Sequence, residues 1–271
     1  MGKRLNNLTE SINFSMNLME ELATREDLTM EQKVILSIYR KLIEQIDGNF
    51  ILADHNLRSS SIIMTRSALE TYLSLKYIVQ RRAFIKDRAL SYYVGYLKNQ
   101  KKLYNNILSN PPKIVTLSPE VYKNKIIKIE QILELPNLEK VLNEWRITKK
   151  KLNDKFRNNY DPKWYSLFDG PTSIKKLVNE LNSKQLYDYY EVLSLEAHGY
   201  ESLNGLEDED IINGDFAFRP IRSTENIDHF AGMARSLCTS ATKDVIQHIA
   251  PNNKIKFDSF VRKLNILAEY Q

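Results

Sequence analysis

An all-α fold is predicted by three features of the sequence. Apolar residues recur at three-to-four spacing through most of the chain, the period of a helix with one buried face. Glycine and proline number only 8 each in 271 residues, too few for the many tight turns of an all-β protein. Serine, threonine, glycine and proline also fall where helices should begin and end. Together these predict a single bundle of about ten helices over residues 1–271, with a minor subdivision near 111–118 as an alternative and one long irregular loop near 205–221.

The first helix carries Leu8, Ile12, Met16, Leu18, Met19 and Leu22 and ends near Ala23–Arg25. Thr29 then reads as an N-cap with Gln32 as its capping-box partner. Val34, Ile35, Ile38, Tyr39, Leu42 and Ile46 continue from it, through Gly48 towards His55. A third helix over 58–82 is apolar on most sides, which marks a central helix packed on several faces. A tyrosine-rich fourth helix over 83–109 stops at Asn110-Pro111-Pro112.

Residues 112–116 read as a short extended piece. Ser118-Pro119-Glu120 reads as cap, first-turn proline and first-turn acid of a helix to about Leu135. Another helix covers about 137–156, and residues 161–165 are a loop. Gly170-Pro171-Thr172 opens a short helix to Leu181. Ser183 caps the next, which closes at His198-Gly199. Ser223 or Thr224 caps a long helix to about Ile249, Ala250-Pro251-Asn252-Asn253 breaks it, and the last helix covers about 257–269.

Composition narrows the function. The chain is 42% hydrophobic and 27% charged, an ordinary globular balance. Met1-Gly-Lys-Arg is not followed by an apolar run, so no secretory signal is expected. No window approaches the roughly 20 apolar residues of a membrane span, so no membrane partner is expected and the cytoplasm is the predicted location. The lone cysteine, Cys238, lies in a helical pattern and reads as a buried small hydrophobe. The net charge of +5 is compatible with nucleic acid, but the excess reads as spread along the chain.

Four constellations could carry chemistry. Arg66 and Glu70 stand one turn apart on the central helix, as a structural ion pair or as the floor of a cleft. Tyr190, Ser194 and His198 follow at steps of four on one helix face. Histidine suits proton transfer near neutrality, but no Gly-x-Ser-x-Gly elbow accompanies the serine. Arg222 and His229, with six residues between them and Arg219 nearby, could hold a phosphate and move a proton, or be unrelated surface residues. The run from Trp145-Arg146 to Trp164-Tyr165, with Lys149–Lys151, Lys155 and Arg157, could grip a phosphate backbone or form a solvated face. No zinc, calcium or phosphate-loop motif is present, so neither metal nor cofactor is expected.

Arg66-Ser67-Ala68-Leu69-Glu70-Thr71-Tyr72, Trp164-Tyr165 before Gly170-Pro171, and Tyr190-x-x-Leu193-Ser194-x-x-x-His198-Gly199 resemble a family of uncharacterised helical bacterial proteins, over about residues 48–206. That resemblance implies that the first two constellations form one site from two packed helices. Trp164 and Tyr165 are further binding candidates. More distantly, the chain is similar to HEPN proteins, helical and often dimeric, many of them metal-independent ribonucleases of toxin–antitoxin and antiphage systems. Their Arg-x4–6-His motif maps onto Arg222 and His229, although Ser223 stands where an amide, acid or imidazole is commoner. Two functions follow as expectations. One is a ribonuclease or toxin-like effector of bacterial stress or phage defence, with RNA as partner. The other is a non-catalytic module binding a small ligand, a partner protein or a second copy of itself.

Overall fold

A computed structural model of the chain describes residues 3–111, 117–156, 161–197, 202–208, 210, 212–214, 216–223 and 227–269, leaving aside the side chains of 3, 4, 156 and 265–269. Among the described residues there are ten α-helices and no strand, so the protein is all-α. They are α1 (Lys3–Ala23), α2 (Met30–Asp54), α3 (Arg58–Val79), α4 (Ile85–Ser109), α5 (Pro119–Leu133), α6 (Glu139–Phe156), α7 (Ile174–Glu180), α8 (Lys184–Ala197), α9 (Ile227–Ile249) and α10 (Lys254–Glu269). Two compact units are formed, one from residues 1–80 and 181–271, the other from residues 81–180. The expected extended piece at 112–116 lies outside the described residues.

The first unit is built on α3. This helix packs on α2, α8 and α9, and α1 closes the layer against α2 and α9. Leu69, Leu73, Leu75 and Ile78 are fully buried, as a centrally placed helix requires. Polar groups stitch the layers as well. Asn49 of α2 donates from Nδ2 to Ser61 O, Ser61 Oγ and Thr65 Oγ1 of α3 at 2.9, 2.9 and 2.7 Å. Lys76 of α3 reaches Asp244 of α9 at 2.8 and 2.9 Å. Burial and the Asp244 charge push the Tyr72 hydroxyl up to about 12.

The α1 stripe differs from its pattern at one place. Met16 is exposed, and Ser15 takes the buried position one residue earlier. Ser15 Oγ lies 2.8 Å from Thr242 Oγ1, and the Tyr39 hydroxyl is also 2.8 Å from that oxygen. Cys238 is fully buried beside them, 3.3 Å from Ser15 Oγ, and burial raises its thiol to about 12. At neutral pH it stays protonated, consistent with a packing role.

The cap signals fared unevenly. The Thr29–Gln32 capping box is formed, with the Thr29 hydroxyl accepting from Gln32 N at 3.4 Å and Gln32 Oε1 accepting from Thr29 N at 2.9 Å. Ser118 makes no side-chain cap bond, and Ser183 donates its hydroxyl to Leu181 O. At α7, which begins just past Gly170-Pro171-Thr172, Ser173 Oγ accepts from the first turn through Lys176 N at 3.3 Å. For α9, Thr224 lies outside the described residues and the Ser223 N–H goes to Asn56 O.

In the second unit α4 packs on α5 and α6 and on a short 3-10 turn, Trp164–Ser166, within the expected loop. Trp164 lies edge-on to Tyr92 of α4, with ring centroids 5.1 Å apart. The approach needs a residue without a side chain: a Cβ on Gly95 would sit 2.9 Å from the Cβ of Trp164.

Two substitutions test this packing by urea denaturation. Thr242→Val keeps the volume but strips the shared partner from Ser15 and Tyr39, and should cost about 1–3 kcal/mol. Gly95→Ala should displace Trp164 and cost about 1–3 kcal/mol, with a change in tryptophan fluorescence. Unchanged midpoints in either variant would contradict the corresponding contact.

Candidate functional site

Two arrangements in the first unit involve the residues singled out from the sequence. The first is a clamp between α3 and α8. Arg66 Nε donates to Ser194 Oγ at 2.9 Å, and Nη2 donates to the Tyr190 hydroxyl at 3.3 Å. The same Nη2 is 3.2 Å from Glu70 Oε1, and the guanidinium carbon stands 5.2 Å from the centre of the Tyr190 ring. Arg66 is mostly buried, with 18% of its side chain exposed, while Glu70 is 40% exposed. A buried cation needs partners on every donor face, and α8 supplies two of them at i and i+4.

Ser194 is committed within this clamp. It donates its hydroxyl proton to Tyr190 O at 2.6 Å and accepts from Arg66. A nucleophilic serine would instead give its proton to a base. The arrangement therefore does the work of a helix-to-helix tie. His198, one turn further on, lies outside the described residues.

The second arrangement is a cavity of about 740 Å³. Its walls come from the first turn of α3 (Arg58, Ser59), the end of α8 (Glu196) and the irregular stretch after it. That stretch folds back on itself: Leu206 and Phe218 form an isolated antiparallel bridge, Glu207 N donates to Ala217 O at 2.9 Å, and Arg219 N donates to Gly205 O at 2.8 Å. Asn56, at φ 57°, turns the chain from α2 into α3, and its carbonyl accepts from Ser223 N at 3.0 Å. Arg222 Nη1 donates to the neighbouring His55 O, also at 3.0 Å.

Three arginines, Arg58, Arg219 and Arg222, thus line one cavity. Arg58 Nε is buried without a hydrogen-bond partner. The start of α3 has no side-chain cap, so its first N–H groups add to the positive field. Among the described lining residues the only carboxylate is Glu196, which accepts a hydrogen bond from Ser59 Oγ. Phe218 contributes an exposed ring. Such a lining suits an anion of small-molecule size.

The remaining sequence candidates are placed elsewhere. His229 is exposed in the first turn of α9, its ring 6.1 Å from that of Tyr189 on α8, and it does not line the cavity. Trp164 and Tyr165 belong to the second unit, where their rings stand 5.5 Å apart against α4. No group of three or more potential metal ligands occurs among the described residues. Sequence reasoning missed Arg58 and Ser59 as site residues. The signal available was an arginine in the first turn of a helix whose cap position, Leu57, cannot cap.

Arg66→Met should lower stability by about 1–3 kcal/mol in urea denaturation, since it removes the donor shared by Ser194 Oγ and the Tyr190 hydroxyl and leaves Glu70 unpaired. Arg66→Lys should recover little, because one ammonium cannot reproduce the fork of the guanidinium. Full recovery by lysine would show that charge alone matters.

Comparison with known proteins adds a family but no described function. No curated protein and no solved structure matches the chain. One family model matches residues 32–213, a span that takes in Arg58, Arg66, Glu70, Tyr190, Ser194 and Glu196 but stops before Arg219, Arg222 and His229. With two thirds of its length matched, the chain belongs to the family of unknown function DUF5677.

Proposed function

We propose that the protein is a helical ligand-binding module whose cavity beside the start of α3 takes a small phosphate-bearing anion. The observation that carries this reading is the convergence of Arg58, Arg219 and Arg222 on one cavity of about 740 Å³. Guanidinium groups hold phosphate oxygens in bidentate pairs, and a helix N-terminus adds N–H donors. Glu196, tied to Ser59, leaves the arginines as the dominant charges at the cavity. No helix among the described residues is long and apolar enough to cross a membrane, and we place the module in the cytoplasm.

A second reading keeps the expected ribonuclease or toxin-like effector. It rests on the HEPN resemblance and on one observation: Arg222 lines the cavity while His229, seven residues on, is exposed. In that reading Arg222 holds the scissile phosphate and His229 or His198 moves the proton, without a metal. The clamp weighs against extending this chemistry to Ser194 and Arg66, whose hydrogen-bonding groups are engaged with each other and with α8.

Thermal-shift and calorimetric titration with pyrophosphate tests the binding reading. Binding should occur and should weaken at least tenfold in Arg58→Gln and in Arg219→Gln, each removing a charge-assisted contact of about 1.5–3 kcal/mol. Absence of any pyrophosphate binding to folded protein would sink it. RNA incubated in EDTA separates the two readings. Cleavage that disappears in His229→Ala or His198→Ala would establish the ribonuclease; intact RNA with retained pyrophosphate binding leaves the binding module.

A further inference from the structure

The charge of the chain is not evenly distributed between its two units. Residues 81–180 hold 21 Lys and Arg against 10 Asp and Glu, a net +11. The other 171 residues hold 18 against 24, a net −6. The modest +5 of the whole is the residue of these opposed values, and the impression of an evenly spread excess is corrected by the unit boundaries. Self-repulsion of +11 on about a hundred residues opposes compaction, so a binding role for the charge is a more economical account than solubility alone.

Within this unit the cations gather where α4 meets α6. Lys98 and Lys101 come from α4, Arg146 and Lys149 from α6. They are close enough that Lys101, Lys149 and Arg146 each disfavour the charged form of Lys98, after burial, which is the main cause of its lowered affinity for a proton. Lys98 Nζ sits 5.2 Å above the Trp145 ring. Two acids temper the cluster: Asp161 is 2.9 Å from Lys149, and Glu130 is 2.7 Å from Lys101. Arg146 is exposed and donates to the neutral amide oxygen of Asn143 at 2.9 Å.

We propose that residues 81–180 form a nucleic-acid-binding module that holds the phosphate backbone of RNA or DNA along the α4–α6 face. Lys101, Lys149 and Arg146 contact successive phosphates. An anionic membrane would be drawn by the same charge. Against it, Trp145 is buried and Trp164 packs on Tyr92, so neither tryptophan is presented as an interfacial anchor. The module is distinct from the arginine-lined cavity, whose residues all belong to the other unit.

The test is fluorescence anisotropy of the full chain with labelled 20-nucleotide single strands across 50–250 mM salt. Contact with about four phosphates gives a slope of log affinity against log salt near −3. The triple variant Lys101→Ala/Arg146→Ala/Lys149→Ala should bind at least tenfold more weakly at 50 mM salt, with a slope shallower by about 2. Arg146→Gln alone, at an exposed position, should lose several-fold and covers the case of a misfolded triple variant. No binding at 50 mM salt, or wild-type affinity in both the triple variant and Arg146→Gln, overturns the proposal. So does preferential capture by phosphatidylserine vesicles that nucleic acid cannot displace.

Discussion

A central helix that carries charge must be given partners, and much of the first unit is arranged around that need. Helix α3 is buried on most sides, yet Arg66 and Lys76 project from it. A lone charge in such a place costs several kcal/mol, so each must meet opposite charge or hydrogen-bond acceptors. Lys76 finds Asp244 on α9. Arg66 finds Glu70 on its own helix and the two hydroxyls of α8. These ties set which face of α8 meets α3, and the exit of α8 then puts Glu196 at the cavity.

The cavity inherits its electrostatics from the same helix. Because α3 begins at Arg58 after an uncapped leucine, its first turn presents N–H groups and a guanidinium together. The irregular stretch 202–223 completes the wall by pairing with itself and by bonding to the backbone at His55 and Asn56. Arg219 and Arg222 are thereby held by main-chain anchors instead of a helix. A site with one rigid wall and one looped wall can adjust its arginines to anions of different geometry.

Helical periodicity made the fold legible, because 3.6-residue spacing and punctuation by proline and glycine act locally. The Thr29–Gln32 box was readable for the same reason, as was the one-turn Arg66–Glu70 pair. Burial phase was less legible: Ser15 rather than Met16 faces inward because its hydroxyl completes a tertiary triad with Tyr39 and Thr242, partners remote in sequence. Ser118 and Ser183 have the right residue type for caps, but type alone does not fix the rotamer. The arginine-lined cavity joins residues more than 150 apart, which no local spacing encodes. The charge division was hidden because the unit boundaries, after Gln80 and Glu180, lie just past the ends of α3 and α7 at no proline- or glycine-rich linker.

That division has a consequence for the protein as a solution. A chain whose two compact units carry net charges of opposite sign is a polyampholyte, and each copy offers the next a unit of complementary charge. Attraction between opposite net charges is non-directional, so at low ionic strength it favours loose association over a defined oligomer. At about 0.15 M salt the screening length falls to about 8 Å and most of that attraction is lost. Ionic strength, more than protein concentration, then governs whether the molecule stands alone.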